Sequence, residues 1–275
     1  MPTNTLTSSH FAYVCGLVRK RSAIELDASK SYLIAARLGN LARQTGYASA
    51  VDLVQGLQAK NLPELEQMLV EAMTTNETSF FRDLHPFEAL RSVVLPQMLA
   101  TRSTKRALNI WSAACSTGQE LYSIAIYIRE HFPQLSHWKL NLLGTDISDE
   151  VLSKARLGRF TQLEVNRGLP AAYLIKYFQR DGLHWQVRPE IKSMVSFEKL
   201  NLIEPWPHLP TMDLVLLRNV MIYFSTEVKK QILQKIRARM PSDGILFLGA
   251  AETTLRLDAD FDCVQNASCI YYTVK

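Results

Sequence analysis

The sequence predicts an α/β protein in which a small helical domain precedes a Rossmann-like domain with a mostly parallel sheet. Residues 108–146 show the pattern of a strand, a loop of small residues, a helix and a second strand that ends on an acid. Apolar residues recur at helical spacing through much of residues 1–73. Short apolar runs at 212–217, 244–249 and 269–274 supply further strands, and a helix is expected at residues 228–240. The last strand is expected to form an antiparallel hairpin with the one before it, because too few residues separate them for a crossover helix. Strands that alternate with helices in this way are typical of a doubly wound sheet.

The first of these observations contains the parts of a nucleotide site. The strand Leu108–Trp111 leads into a small-residue loop that ends at Gly118, and apolar residues from Leu121 to Ile128 then have helical spacing. The second strand ends on Asp146, whose carboxylate can accept hydrogen bonds from both hydroxyls of a ribose. We therefore expect a ligand with a ribose at this βαβ unit.

The loop departs from the glycine-rich pattern of dinucleotide sites. Gly118 is its only glycine, and Glu120 follows in the first helical turn. A carboxylate at that point would repel a pyrophosphate but would suit a ligand with an ammonium or sulfonium group. This favours S-adenosylmethionine over NAD. The alternative is an ordinary strand–helix turn in which Glu120 only stabilises the helix dipole.

Composition excludes several other classes of protein. The 275 residues carry 31 basic and 26 acidic side chains, an excess too small to argue for nucleic acid. No apolar run approaches the roughly 18 residues that span a bilayer, and the first ten residues lack the architecture of a signal peptide. The four cysteines, which are Cys15, Cys115, Cys263 and Cys269, form no C-x-x-C pair, and no histidine stands at metal-ligand spacing. We expect a cytoplasmic protein with reduced thiols and no metal, and a monomer by default.

The amino-terminal domain is predicted to be helical and basic. The predicted helices are Phe11–Val18, Ser31–Gln44, Ala50–Ala59 and Pro63–Met73. Seven lysines and arginines in residues 1–60 face only three acids. Such a surface could dock an acidic partner, although charge alone favours an ordinary solvated face.

A polar segment, Thr74–Ser79, runs directly into Phe80, Phe81 and Arg82. Thr75, Asn76 or Thr78 could cap the helix that follows. Alternatively, the segment closes over a ligand, with the two phenylalanines anchored in the core. Propensity does not separate these two readings.

Four blocks of sequence resemble the chemotaxis receptor methyltransferases, the CheR family. The blocks are Thr75–Arg82, Trp111–Glu120, Gly144–Ser148 and Arg218–Phe224, the last of which reads Arg-Asn-Val-Met-Ile-Tyr-Phe. Their order and spacing are family-like, and the resemblance extends over nearly the whole chain from about Phe11.

The resemblance implies a Rossmann-like S-adenosylmethionine-dependent methyltransferase domain and a set of site residues. The implied cofactor-binding residues are Asn76, Thr78, Arg82, Glu120, Asp146, Asn201, Leu202, Arg218 and Asn219. Glu120 would face the methionine portion, Asp146 would hold the ribose and Asn201-Leu202 would lie beside the adenine. Arg82 and Tyr223 would be the catalytic residues near the transferred methyl, although Tyr223 could also be plain core packing beside Phe224.

The resemblance also implies the domain organisation. Residues 1–73 would form the helical domain, 74–90 a linker that contributes to the cofactor site, and 91–275 the catalytic domain. A small antiparallel subdomain would be inserted at about 157–198, with His184–Arg188 and Met194–Phe197 as a strand pair.

Two departures from the family pattern are visible. The family usually has Gly-Glu-Glu-Pro-Tyr-Ser where this chain has Gly118-Gln119-Glu120-Leu121-Tyr122-Ser123, so one acid and one proline are lost. The segment Gln179–Trp185 is short and has one glycine, whereas members that bind the carboxyl-terminal pentapeptide of receptors have a longer, glycine-rich hairpin. The chain therefore resembles the type that does not bind the pentapeptide.

The implied activity is methylation of glutamate carboxylates in the cytoplasmic helical region of chemotaxis receptors, with S-adenosylhomocysteine as the second product. A methyltransferase for another protein or a small molecule remains as an alternative. A non-catalytic module that binds S-adenosylmethionine and docks on receptors is the other. The presence of Asp146, Glu120, Arg82 and Tyr223 argues against the module.

Overall fold

The computed structural model describes residues 5–266 and 269–275, which form two compact units. The first unit holds the described residues up to Thr75 together with Tyr223–Val228. The second holds Asn76–Ile222 and the described part of Lys229–Lys275. No described helix is both long enough and apolar enough to cross a membrane. The sequence prediction for the first ten residues includes Met1–Asn4, which lie outside the described ranges.

The first unit is a group of helices around its own apolar core. Its helices are α1 (Ser8–Ser22), α2 (Ser31–Gln44), α3 (Ala50–Ala59) and α4 (Pro63–Met73). The core residues Val14, Val18, Leu38, Leu53 and Leu69 are fully buried. The predicted bounds of α2, α3 and α4 are confirmed, because each apolar stripe ends where the helix ends.

Helix α1 is longer at both ends than its apolar residues predicted. Thr7 and His10 form a capping box that starts the helix at Ser8, before the first apolar residue of the stripe. The helix ends at Ser22, and Ala23 takes a left-handed conformation with φ of 57°. Caps of this kind depend on side-chain hydrogen bonds that apolar periodicity does not report.

The second unit is a doubly wound sheet with helices and one small additional sheet. Its helices are α5 (Leu84–Ala89), α6 (Leu95–Thr101), α7 (Gln119–His131), α8 (Asp149–Leu157), α9 (Gln162–Asn166), α10 (Ala171–Tyr177), α11 (Pro189–Lys192) and α12 (Thr226–Arg237), the last of which begins in the first unit's segment. Its strands are β1 (Ala107–Ala113), β2 (Lys139–Asp146), β3 (Arg159–Thr161), β4 (Phe178–Asp181), β5 (His184–Val187), β6 (Val195–Lys199), β7 (Leu214–Leu217), β8 (Ile245–Leu248), β9 (Phe261–Asn266) and β10 (Cys269–Val274).

The large sheet has the strand order β6-β2-β1-β7-β8-β10-β9. Strands β6, β2, β1, β7 and β8 are parallel, and β10 is antiparallel to both β8 and β9. The chain builds outwards from β1 to β2 and β6, then returns to β7 on the other side of β1. Ligands of doubly wound proteins bind outside the carboxyl ends of the strands at such a reversal.

The sequence prediction for residues 194–197 is wrong in its pairing. This run forms β6, which pairs in parallel with β2 from Leu142–Val195 to Asp146–Lys199, and is therefore the edge of the large sheet. The small sheet has the order β3-β5-β4, and β5 pairs with β3 and β4. Adjacent strand-like runs look alike in sequence, and only the register of the hydrogen bonds assigns them to a sheet.

The predicted antiparallel pairing of the last strand with β8 is confirmed, but the hairpin itself is formed with β9, a strand that the sequence pattern missed. Strand β10 has the predicted bounds, and its partner β9 alternates charged, polar and apolar residues without an apolar run. An edge strand with one solvated face gives this weak signal. Helix α12 runs from Thr226 to Arg237, within a few residues of the predicted helix at residues 228–240.

A partly buried ion cluster joins segments at the amino-terminal edge of the large sheet, opposite the strand ends that carry the site. Arg102 donates to Asp213 (2.8 Å), which precedes β7, and to both oxygens of Asp243 (2.6 Å each), which precedes β8. Asp213 is 2% exposed and also accepts the amide of Asn109 in β1 (2.9 Å). Hydrogen bonds from the Arg102 guanidinium lower the pKa of Asp243.

We predict that Arg102→Ala destabilises the second unit by about 3–5 kcal/mol, because it leaves the buried Asp213 carboxylate without its cation. Urea unfolding followed by circular dichroism measures the change. Lys105→Ala is the matched control, because it also removes one positive charge but at an exposed position. Equal stability of the two variants would contradict the assignment.

Candidate functional site

The candidate site lies at the carboxyl ends of β1, β2 and β7. Because these strands are parallel, the segments that follow Ala113, Asp146 and Leu217 all emerge at one edge of the sheet. Strand order reverses between β1 and β7, so this edge is where a ligand crevice is expected. The predicted residues Glu120, Asp146, Arg218 and Asn219 all belong to these segments.

The loop between β1 and α7 has an unusual backbone. Ala114 and Ser116 have φ values of 61° and 50°, and Gly118 has φ of 91°. A Cβ at Gly118 would also lie only 3.0 Å from the Phe197 ring and 3.1 Å from Ala155. A side chain at residue 118 would therefore be strained and crowded, which explains the loop's single glycine.

Asp146 is buried at the end of β2, and its carboxylate is fixed by two backbone amides. Ser116 N–H donates to Oδ2 (2.9 Å) and Ser148 N–H to Oδ1 (3.1 Å). A carboxylate has about four acceptor positions and can accept from ligand hydroxyls as well as from backbone amides. The two amides hold Asp146 in place between the first loop and the start of α8.

The buried Arg218 and the partly buried Glu120 form a cluster that joins three segments. Arg218 Nη1 donates to Glu120 Oε2 (2.8 Å), and Ser112 Oγ donates to Glu120 Oε1 (2.8 Å). Arg218 Nη2 donates to Asp83 Oδ2 (2.7 Å) and to the carbonyl of Arg82 (3.0 Å). The Arg218 side chain is 2% exposed. The structure thus brings Glu120, Arg218 and the backbone carbonyl of Arg82 together.

The segment that precedes α5 is anchored by its aromatic residues. Phe80 is fully buried against Phe160 and Phe178, and Phe81 packs on Phe87 and Tyr173. The following helix begins at Leu84 and has no side-chain cap, so Thr75, Asn76 and Thr78 do not cap it. The structure therefore supports the interpretation in which Phe80 and Phe81 are anchored in the core.

Arg82 is held in a turn with backbone strain on both sides. Phe81 and Asp83 have φ values of 47° and 57°, and the Phe81 amide donates to Ser123 Oγ (2.9 Å). Arg82 Nη1 donates to the carbonyl of Glu77 (3.1 Å). Asn76 is exposed, and its carbonyl accepts a hydrogen bond from Ser116 Oγ (2.8 Å). Strained residues cluster at functional sites when the surroundings hold them in place.

Asn201 and Leu202 follow β6, close to Asp146 along the sheet edge. The Leu200 amide donates to the Asp146 carbonyl (2.9 Å), which brings Asn201 beside the end of β2. Lys235 donates to the carbonyls of Leu202 (2.7 Å) and Glu204 (2.6 Å). Burial lowers the pKa of Lys235 to about 8. Lys235 therefore fixes the loop that carries Leu202.

The two remaining predicted residues lie on either side of the boundary between the units. Asn219 follows Arg218 in the second unit and has φ of 60°. Tyr223 belongs to the first unit, where its carbonyl accepts the amide of Glu25 (2.9 Å). The resemblance placed Tyr223 near the transferred methyl, with core packing as the alternative, and the sequence did not predict its hydrogen bond with Glu25.

Several residues that shape the site were not predicted from the sequence. They are Asp83, Ser112, Ser116, Lys235 and Glu252, all of which make hydrogen bonds to predicted residues or to their loops. Ser112 and Ser116 lie inside a block that was recognised, and small polar residues after a strand could have indicated them. The other three act over long sequence separations and carry no local signal.

The site's charges fit a cationic cofactor with a ribose. Burial raises the pKa of the Cys115 thiol well above its ordinary value, and the negative charges of Asp146 and Glu120 raise it further. Cys115 is therefore a packing residue rather than a nucleophile. Asp146 supplies acceptors for ribose hydroxyls, and the carboxylates suit a sulfonium rather than a phosphate. The described residues contain no group of three or more potential ligands that could hold a metal ion.

Comparison with known proteins agrees with this geometry. Residues 9–74 match the family model described as the CheR methyltransferase all-alpha domain, and residues 76–270 match the CheR methyltransferase SAM binding domain. Chemotaxis protein methyltransferase 1 of Pseudomonas aeruginosa is 41% identical over 263 residues, which cover 94% of this chain and 95% of that protein.

Further relatives extend the match to the full length. Chemotaxis protein methyltransferase Cher2 of Pseudomonas putida is 40% identical over 94% of this chain and 95% of its own length. Chemotaxis protein methyltransferase 1 of Vibrio cholerae is 34% identical and is covered completely, as is this chain. The chain therefore belongs to the CheR methyltransferase family and uses S-adenosylmethionine as its methyl donor.

Proposed function

We propose that the protein methylates glutamate side-chain carboxylates in the cytoplasmic helical region of chemotaxis receptors, producing glutamate methyl esters and S-adenosylhomocysteine. The observation that carries the proposal is the convergence of Glu120, Asp146 and Arg218 at one sheet edge in a chain that matches chemotaxis methyltransferases over nearly its whole length. We further propose that it acts in the cytoplasm as a monomer.

The reaction needs no general base. A glutamate carboxylate has an unperturbed pKa of about 4.3 and is already ionised near neutral pH. The bound cofactor supplies an electrophilic methyl group, which the carboxylate takes up as an ester. The protein's part is to align the two reactants and exclude water, an effect worth roughly 7–11 kcal/mol in well-oriented reactions. The burial and fixed geometry of Arg218 and Asp146 suit that task.

We assign the cofactor's parts to segments of the sheet edge. Asp146 would accept the ribose hydroxyls, and Asn201 with Leu202 would lie beside the adenine. Glu120, held by Ser112 and Arg218, would face the methionine portion, near Asn219.

The segment before α5 and the turn after β7 would complete the site. Asn76 and Thr78 would contact the cofactor from the segment before α5. Arg82 would steer the substrate carboxylate and Tyr223 would limit its orientation.

The receptor would dock through the basic surface of the first unit, whose Lys30, Arg37 and Arg43 lie on or next to α2.

The small sheet favours a family member that does not bind the receptor pentapeptide. Its β4–β5 hairpin pairs Asp181 with His184, so only Gly182 and Leu183 form the turn. A two-residue turn supports the short-hairpin interpretation.

Methyl transfer to receptor cytoplasmic fragments tests the proposal directly. We expect radiolabel from methyl-labelled S-adenosylmethionine to appear on the fragment and to be released as methanol in base, because carboxyl esters are base-labile. Fragments whose acceptor glutamates are changed to alanine are the control. Cofactor binding without transfer to any receptor fragment would shift the assignment to another substrate or to a binding module.

We predict that Asp146→Asn weakens cofactor binding by about tenfold or more, since it replaces a charged acceptor worth about 1.5–3 kcal/mol. Isothermal titration calorimetry measures the dissociation constant. Asp149→Asn is the control, because Asp149 begins α8 nearby and is an exposed partner of Lys199. Unchanged affinity of Asp146→Asn would remove Asp146 from the cofactor site.

We predict that Arg82→Ala reduces turnover by about tenfold to a hundredfold through misalignment of the substrate carboxylate, with a smaller effect on cofactor affinity. Steady-state kinetics and calorimetry separate the two quantities. Arg91→Ala removes an exposed arginine of the same unit and should leave both unchanged. Equal losses in turnover and affinity for Arg82→Ala would contradict its assignment to the substrate.

A further inference from the structure

The carboxylate of Glu252 connects the ends of two neighbouring strands. Its Oε2 accepts the amides of Gly249 (2.7 Å) and Asn219 (2.8 Å), and its Oε1 accepts the amide of Ile222 (3.3 Å). Gly249 directly follows β8, whereas Asn219 and Ile222 belong to the turn after β7. One side chain therefore holds the turn after β7 against the end of β8.

The turn needs such support because it lies beyond the paired strands. The last paired residues of β7 and β8 are Leu217 and Leu248, so the sheet ladder ends before Asn219. Asn219 has φ of 60°, in the left-handed region that non-glycine residues rarely adopt. The Glu252 carboxylate gives the Asn219 amide a charged acceptor in this conformation.

Gly249 makes the close approach possible. A Cβ on residue 249 would lie 2.7 Å from Glu252 Oε2 and 2.8 Å from both the backbone nitrogen and the Nδ2 of Asn219. Two of these atoms, the Asn219 nitrogen and Glu252 Oε2, are the donor and acceptor of one of the hydrogen bonds described above. Any larger residue at this position would therefore push Asn219 and Glu252 apart.

We propose that Glu252 is a positioning residue for methyl transfer, which sets the turn from Asn219 to Ile222 through three backbone amides and depends on Gly249 for its fit. The consequence concerns two proposed site residues, Asn219, which belongs to this turn, and Tyr223, which directly follows the turn in the chain. The inference rests on the proposed function for its turnover readout and on the structure alone for its hydrogen-exchange readout.

A carboxylate suits this role better than an amide. Its two oxygens only accept hydrogen bonds, and three N–H donors face them. A glutamine has one oxygen and one NH₂ group. Its oxygen can retain the amides of Asn219 and Gly249, but its NH₂ group would then face the Ile222 amide. Glu252→Gln should therefore behave between the native protein and Glu252→Ala.

The test combines three variants with two matched controls. The variants are Glu252→Ala, Glu252→Gln and Gly249→Ala, and the controls are Glu190→Ala and Gly16→Ala. Glu190 is exposed in α11. Gly16 is exposed in α1, where an added Cβ meets nothing within 4 Å. Three quantities are measured: amide hydrogen exchange at residues 219, 222 and 249, the dissociation constant for S-adenosylmethionine, and turnover with a receptor fragment.

We expect Glu252→Ala and Gly249→Ala to accelerate exchange at the Asn219 amide and to lower turnover by about tenfold to a hundredfold, as small misplacements of catalytic groups do. The cofactor dissociation constant should change less than turnover, because Asp146 and its loop are left intact. Glu252→Gln should restore part of both losses, and the two controls should match the native protein.

The proposal would be overturned if the Asn219 amide of Glu252→Ala exchanged hydrogen at the native rate. It would also be overturned if both Glu252 variants kept the native turnover. A larger effect on cofactor affinity than on turnover would also overturn it, because Glu252 would then serve cofactor binding rather than methyl transfer. If Glu252→Ala does not fold, Glu252→Gln and Gly249→Ala give the same comparisons. If the native protein transfers no methyl group to receptors, the proposed function fails, whereas exchange still decides whether Glu252 holds the turn.

Discussion

The geometry of the candidate site depends on one buried guanidinium, that of Arg218. A charge that is 2% exposed must be matched within the protein, and Arg218 is matched by Glu120, Asp83 and the carbonyl of Arg82. Removing one partner of a buried pair costs about 3–5 kcal/mol, so the partners are strongly constrained to meet. The segment before α5, the start of α7 and the end of β7 therefore converge at one point.

This convergence explains why backbone strain is concentrated at the same edge. Phe81, Asp83, Ala114, Ser116 and Asn219 all have positive φ values between 47° and 61°. Each such residue costs about 1–3 kcal/mol and persists only where its surroundings determine it. The surroundings here are specific hydrogen bonds: Ser123 holds the Phe81 amide, Asp146 that of Ser116 and Glu252 that of Asn219. A site that is already ordered before its ligands arrive binds them with a smaller free-energy cost of ordering.

Local patterns were sufficient for much of the fold and for part of the site. Helices α2, α3 and α4 were predicted to the residue, because each is a complete amphipathic segment with clear ends. The position of Asp146 at the end of β2 was predicted because the topology of a βαβ unit sets where the carboxyl end of its second strand lies. The burial of Phe80 and Phe81 followed from two adjacent aromatic residues in a polar segment. The resemblance to the methyltransferase family added Arg82, Arg218 and Asn219.

The sequence by itself determined which segments are helices or strands and which charged side chains stand at strand ends, since both depend on residues close together in the chain. Only the tertiary structure decided that β6 joins the large sheet, that Arg218 neutralises Glu120 and Asp83, and that Glu252 holds the turn after β7. These contacts join residues 30 to 135 positions apart. The physical reason is that strand register and burial select such partners, and neither quantity is encoded in a local pattern.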